Sequence, residues 1–176
     1  PVVIIIRCLS PFLVIRFGQM RAERIGHFAG NIELYLCERD LGTYGSKTHD
    51  IFYILSPICN NQLKKMWERS LNISPFVSHL ALANKRIPGG EKHVIPIPSD
   101  RDINQLMLRT CTHLSFTSDE ERLGEKELEK MGVPRNAPFV CLHGRDSAYL
   151  NTTFVDENWR YQNYLDVDIE TFIPAA

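Results

Sequence analysis

Phe12-Leu13-Val14-Ile15-Arg16-Phe17-Gly18 is an apolar run closed by a glycine, and a helical pattern begins shortly after it. In that pattern Ile25, Phe28, Ala29, Ile32, Tyr35 and Leu36 follow the 3.6-residue period. Asn31, Glu33, Glu38 and Arg39 take the other side, and Gly42 stops the helix. A second apolar run, Ile51-Phe52-Tyr53-Ile54-Leu55, ends at Ser56-Pro57. A third, Phe139-Val140-Cys141-Leu142-His143, follows Pro138. Apolar runs bounded by turn residues and separated by helices suit parallel strands covered on both faces. The fold class is therefore α/β, read as a Rossmann-like doubly wound domain.

Two further helices flank these runs. One starts at Asn60 or Asn61, either a good N-cap, and carries Leu63, Met66, Trp67 and Leu71 on one face, which assigns Trp67 to the core. Lys64 and Glu68 can pair on its opposite face. The other is capped by Ser118 with Glu121 completing a capping box; Leu123, Leu128 and Met131 line one side, and Gly132 and Pro134 end it. Residues 93–98 can form a strand that Pro96 and Pro98 confine to a sheet edge. The segment 131–138 reads as a connector. It separates a Rossmann-like domain over 1–134 from the beginning of a second domain over 135–176. That second part offers one strand, a polar loop over 151–163 and a helix start near Asp168, with Ile169, Phe172 and Ile173 at helical spacing. Because the chain begins with Pro and this second domain is short, further sequence is expected at both ends.

The bulk numbers exclude several classes. Of 176 residues, 44% are apolar and 23% charged, an ordinary globular balance. A net charge of −1 with scattered Lys and Arg argues against nucleic acid as a partner. The five cysteines are odd in number and widely spaced, which suits buried free thiols in a reducing compartment. No Cys/His spacing points to a metal, and His79, His93 and His113 read as structural. Residues 1–18 are very apolar, but Arg7, Pro11 and Arg16 interrupt them, and a bilayer span needs ~20 apolar residues. A buried strand is the expectation there, with an interfacial role as the alternative.

Two segments carry candidate chemistry. Arg24-Ile25-Gly26-His27 stands after the first strand and opens the first helix, where an α/β sheet binds its ligands. Gly26 lets a ligand approach the backbone, free N–H groups at the helix start favour anions, and His27 titrates near neutrality as a general base requires. Alternatively, Gly26 is a tight turn and His27 a solvated first-turn residue. In the second segment the run 139–143 delivers His143, Arg145 and Asp146 beyond its end. Arg145 offers a planar donor fork to a diphosphate, and Asp146 either orients Arg145 or caps the next turn. A surface Arg–Asp pair of little consequence is the alternative.

The stretches RIGHFAGNIELYLCERDLG, NNQLKKMWERSL and FTSDEERLGEKELEKMGVPRNAPFVCLHGRDSAYL resemble a family of bacterial glycosyltransferases encoded among surface-polysaccharide genes, most specifically in PFVCLHGRDSAYL. The resemblance runs from about Arg24 to the end. It implies a GT-B-like architecture of two facing Rossmann-like domains, acceptor on the first and nucleotide-sugar on the second. Arg24, Gly26 and His27 would face the cleft from the first domain, and His143, Arg145 and Asp146 would open the donor domain. The His-x-Arg spacing is also similar to an element of fucosyltransferase-like enzymes in which the arginine meets donor phosphate. Gly144 departs from the larger residue, often Val, of that family, and Tyr164-Leu165-Asp166-Val167-Asp168-Ile169 lacks an arginine and an asparagine of its pattern.

The expected function is transfer of a sugar from a nucleotide-diphosphate donor to a glycan or lipid-linked acceptor, in the cytoplasm, with a peripheral membrane contact left open. His27 would be catalytic, Arg24, Gly26, His143, Arg145 and Asp146 substrate-binding. No cofactor beyond the donor substrate and no metal is expected. The activity is expected of the full-length form, and this stretch alone is expected to be inactive. An inactive fragment, a sugar- or nucleotide-binding module, and a sugar-nucleotide epimerase of similar fold are the alternatives.

Overall fold

Val14–Met20 (β1) and Thr48–Ile54 (β2) pair in parallel, from Val14 opposite Thr48 to Met20 opposite Ile54, in a computed structural model that describes residues 2–45, 47–98 and 101–175. The chain is mixed α/β and divides into two compact units, Pro1–Asp119 and Glu120–Ala176. β2 ends just before the Ser56-Pro57 expected to close it, whereas β1 runs through Gly18, the residue expected to end it, as far as Met20. Single bridges extend the sheet on both edges. Phe52 N–H donates to Asn72 O (2.7 Å) and Phe52 O accepts from Ser74 N–H (2.9 Å), which sets Ile73 beside β2. On the other edge Ile95 N–H donates to Phe17 O (2.9 Å), setting Val94 beside β1. Pro96 and Pro98 hold that edge to a single bridge, as expected from their missing N–H groups.

Alternation along β1 and β2 sends side chains to two faces. On one face Met20, Phe52 and Ile95 pack with Phe28, Ile32, Tyr35 and Leu36 of the first long helix and with Leu63 and Trp67. On the other, Phe17 and Tyr53 pack with Ile6, Val77 and Ala81. Phe28 lies in the turn before α2; the helices supplying the others are α1 (Val2–Cys8), α2 (Ile32–Asp40), α3 (Asn61–Ser70) and α4 (Val77–Lys85). Gly18 faces the first of these cores so closely that a Cβ there would lie 2.8 Å from Ile95 Cδ1 and 2.9 Å from Phe52 Cδ1.

The helix caps follow the sequence. Gly42, at φ +77°, ends α2, with Thr43 N–H returning to Glu38 O (3.0 Å). Asn60 Oδ1 accepts from Leu63 N–H (2.8 Å) at the start of α3, and Lys64 pairs with Glu68. Trp67 is fully buried, and its indole N–H donates to Phe28 O (2.9 Å). That bond reaches the π turn His27–Asn31 that leads into α2. A side chain inserted into the helical ladder is a recognised companion of such a turn.

The apolar start is a helix, not the expected buried strand. It lacks strict alternation, so its hydrophobicity alone does not separate the two states. Only Val3 and Ile6 of α1 are buried, while Val2, Ile4 and Ile5 are exposed; Pro1 lies outside the described residues. Arg7 fixes the helix instead. Its guanidinium donates to Asn84 O (2.9 Å), Ile87 O (2.8 Å) and Pro88 O (2.6 Å), gathering carbonyls at and just beyond the end of α4.

The second unit departs further from expectation. α5 (Ser118–Lys130) forms, with Gly132 at φ +89° and Val133 N–H bonded to Leu128 O (3.0 Å), but buries no residue. Residues 139–143 are not a strand: Phe139, Val140 and Leu142 are exposed, and no ladder partner meets them among the described residues. An apolar run becomes a buried strand only where neighbouring strands accept its backbone groups. α6 (Ala148–Thr153) follows, and Arg160–Leu165 and Ile169–Ala175 are 3-10 turns, with Ile169 and Ile173 exposed, in place of the expected helix. Of the five free cysteines, Cys37 is buried and Cys59 half-buried, whereas Cys8, Cys111 and Cys141 are exposed, against the expectation of buried thiols.

Candidate functional site

The carboxyl ends of β1 and β2 meet at a polar rim. Ala22 N–H donates to Ser56 Oγ (3.0 Å), and Cys59 N–H donates to Ala22 O (2.9 Å), so the turn after β1 is tied to the turn after β2. Arg21 Nε pairs with Glu23 Oε1 (3.0 Å) on this rim. Burial alone would raise the Glu23 pKa, but hydrogen bonds from its own backbone N–H, Arg21 and Ser56 hold it below the usual carboxylate range. Arg24, Gly26 and His27 follow in one turn, with Phe28 N–H closing onto Arg24 O (2.9 Å).

Gly26 sits at φ −62° and ψ −43°, and nothing lies within 4 Å of where a Cβ would stand. The backbone does not require glycine here, so the tight-turn explanation fails and the space above Gly26 is open. His27 is half-buried. Burial, then the positive charges of Arg21 and Arg24, hold its pKa below the ordinary histidine value, outweighing the Asn31 hydrogen bond and Glu23. That lowering favours the neutral imidazole. Its Nδ1 lies 3.2 Å from Nδ2 of the buried Asn31, whose NH₂ donates to it. With the NH₂ there, a neutral ring carries its proton on Nε2; turning the Asn31 amide over would leave Nε2 as the proton acceptor.

Deeper in the same sheet a buried charge cluster supports this rim without joining it. Arg16 and Asp50 face each other in register, with Nε to Oδ1 at 2.7 Å and Nη2 to Oδ2 at 2.9 Å. The Tyr35 hydroxyl accepts from Arg16 (2.5 Å) and donates to Asp50, and Arg16 stacks on Tyr44 at 4.8 Å from the ring centre. Burial and the Asp50 carboxylate push the Tyr35 pKa well above its ordinary value. A cavity of about 150 Å³ between the sheet and α4, lined by Phe17, Gln19, Tyr53, Asn84 and Lys85, falls below the ~300–1,000 Å³ of small-molecule sites.

In the second unit the three expected residues part ways. His143 is exposed. Arg145 donates from Nη2 to Gln162 Oε1 (2.9 Å) and stands 4.0 Å from Asp166 Oδ1. Asp146 accepts from Ala148 N–H (3.0 Å), so it caps α6 rather than orienting Arg145. A Cβ on Gly144 would make only ordinary contact, 3.6 Å from Ile169 and Phe172. Asp166 and Asp168 form a carboxylate pair two residues apart that sequence reasoning passed over. They do not converge: Asp166 lies beside Arg145, and Asp168 Oδ1 accepts from Glu170 N–H (3.0 Å).

Sequence reasoning also missed a polar cavity of about 520 Å³ lined by Asn151, Glu157, Asn158, Trp159, Arg160 and Asn163. Its signal was present in the amide-rich loop, but the loop read only as polar. Trp159 forms part of this wall while remaining largely buried, with its N–H donating to Phe154 O (3.2 Å). Of the three outlying histidines, His93 is fully buried with Nδ1 2.7 Å from Ile15 O. No helix among the described residues is long and apolar enough to cross a membrane. No family model matches this chain, and neither a curated protein nor a solved structure is similar to it at a level that shows a family.

Proposed function

We propose that the chain belongs to a GT-B-like glycosyltransferase that moves a sugar from a nucleotide-diphosphate donor to a glycan or lipid-linked acceptor in surface-polysaccharide synthesis. The observation that carries this reading is the placement of Arg24, Gly26 and His27 in one turn after β1, with open space above Gly26. Support for a Rossmann-like domain comes from the spatial order Ile73, β2, β1, Val94, which is 3-2-1-4 in chain order. That is the order of the first part of a doubly wound sheet, whose ligand crevice opens beyond the carboxyl end of its first strand.

In this scheme the Asn31 amide turns over so that its oxygen accepts from Nδ1–H, and His27 takes the proton of the acceptor hydroxyl at Nε2. The acceptor oxygen then bonds to the anomeric carbon as the sugar–diphosphate C–O bond breaks. Arg24 and the backbone beside Gly26 hold the acceptor side. Within the second unit, Arg145 is the candidate diphosphate ligand, exchanging its Gln162 contact for phosphate oxygens. His143 and Asp146 border that donor element, and the cavity lined by Asn151, Asn158 and Trp159 has the volume and hydrogen-bonding groups for a sugar. The exposed Val2, Ile4 and Ile5 support a peripheral contact with a cytoplasmic membrane face, where a lipid-linked acceptor would be found. The scheme needs no cofactor beyond the donor.

Titration calorimetry of the chain with UDP- and GDP-sugars tests this reading. Binding that weakens at least tenfold in Arg145→Ala supports it; equal affinity in wild type and Arg145→Ala removes the donor assignment. The present Arg145–Gln162 contact and the use of Asp146 as a cap favour a second reading, a sugar-binding module without turnover. Donor binding without release of nucleoside diphosphate, on addition of any glycan acceptor, would select that module.

A further inference from the structure

The turn Thr110–His113 is fastened to α2 by an arrangement that neither proposed site uses. Glu33 and Cys37 stand one helical turn apart on α2, and His113 reaches them from far along the chain. One ligand atom from each of Glu33, Cys37 and His113 lies within 4.8 Å of the other two. Around a tetrahedral ion with bonds of ~2.0–2.3 Å, ligand atoms sit about 3.5 Å apart, so small side-chain rotations close the set. His113 Nδ1 is 3.1 Å from Glu33 Oε1, and its Nε2 is 2.9 Å from Asp40 Oδ2. A neutral imidazole carries one N–H, so it can donate to only one of these two carboxylates. With Nε2–H given to Asp40, the Nδ1 lone pair is turned toward Glu33 and Cys37. A ligating histidine that donates its other nitrogen to a carboxylate is the usual arrangement around protein-bound metals. The Thr110 hydroxyl lies 2.9 Å from Cys37 Sγ, placed to donate to a thiolate.

We propose that Glu33, Cys37 and His113 Nδ1 bind one divalent transition-metal ion of the zinc class, with Asp40 positioning His113. Thiolate, imidazole and carboxylate together favour that class over magnesium or calcium. Three protein ligands leave a fourth position to water. Cys37 gives up its thiol proton to solvent as the ion binds, so affinity falls as pH is lowered. The ion pins the 110–113 turn to α2, tying the end of the first unit to its core.

The test titrates the full chain with Zn²⁺ by calorimetry and with Co²⁺ by absorption. The expected result is one ion per chain and a thiolate-to-cobalt charge-transfer band in the near ultraviolet. Cys37→Ser should lose the band, and His113→Ala should lose stoichiometric binding. Asp40→Asn, at a half-exposed position, should remain folded by circular dichroism and bind ~10–100-fold more weakly. Failure of the wild-type chain to bind either ion, a Co²⁺ spectrum without a thiolate band, or unchanged affinity in folded Asp40→Asn would each overturn the site.

Discussion

Arg16 and Asp50 show how a single pair of residues can be expensive to disturb. Both side chains are only 6% and 7% exposed, and Tyr35 and Tyr44 close over the guanidinium. Asp50→Ala would strand that charge in the core, at a cost of about 3–5 kcal/mol, measurable by urea denaturation. The same cluster sets an alkaline limit. The folded-state pKa of Tyr35 is raised above its ordinary value of 10.0, so its contribution is complete below about pH 10 and is lost as pH rises beyond that. Thermal stability should fall above pH 10, and Tyr35→Phe should flatten the decline. His27 has the opposite sign. Its folded pKa is lowered, so it stays neutral as pH falls through the ordinary value of 6.5. The acid limb of the rate profile should therefore lie below pH 6.5, and Arg24→Gln, which removes a nearby positive charge, should move it upward. None of this could be read from letters: Arg16 looked like an interruption of an apolar run, and its partner lies 34 residues away on the paired strand. Position after a strand was legible for His27; the charges that tune it were not.

At the scale of elements, what the sequence revealed depended on local chemistry. Asn60, Gly42 and Gly132 act through their own backbone neighbourhood, and the helices they bound are where the spacing puts them. β2, closed near Ser56-Pro57, was legible for the same reason; β1 was legible as a strand, but it runs through the Gly18 that was expected to end it. α1 was not, because the choice between helix and strand for 2–8 was decided by Arg7 meeting carbonyls some 80 residues along the chain. The run 139–143 shows the complementary failure: its apolar residues describe a strand, but a strand requires partners that its local sequence cannot supply. Element packing is tightest at Gly18. Gly18→Ala would place a methyl against Ile95 and Phe52, which pack on the same face of the sheet. It should cost about 1–3 kcal/mol by chemical denaturation, unless Ile95 shifts and weakens the edge bridge to Phe17.

Across the molecule the two units differ in what holds them. Unit Pro1–Asp119 has a sheet covered on both faces, whereas Leu150 and Trp159 are the buried hydrophobic residues described in Glu120–Ala176. Hydrogen exchange should accordingly be slow along β1, β2, α2 and α3 and fast across 135–175, since protection follows buried contacts. The α/β class was visible because the first unit repeats the strand–helix pattern; its edge bridges were partly visible through Pro96 and Pro98. The candidate site was legible as a place, the turn after β1, but the polar cavity and the Glu33–Cys37–His113 convergence emerge only when distant segments meet.

Release of nucleoside diphosphate from UDP- and GDP-sugars, with a glycan or lipid-linked acceptor present, tests the transferase reading most directly. The expected result is turnover by the wild-type protein that drops by about 10²–10⁴-fold in His27→Ala, as for loss of a general base, and also falls in Arg145→Ala. Wild-type rates in both variants would contradict the assignment of these residues and the chemistry built on them.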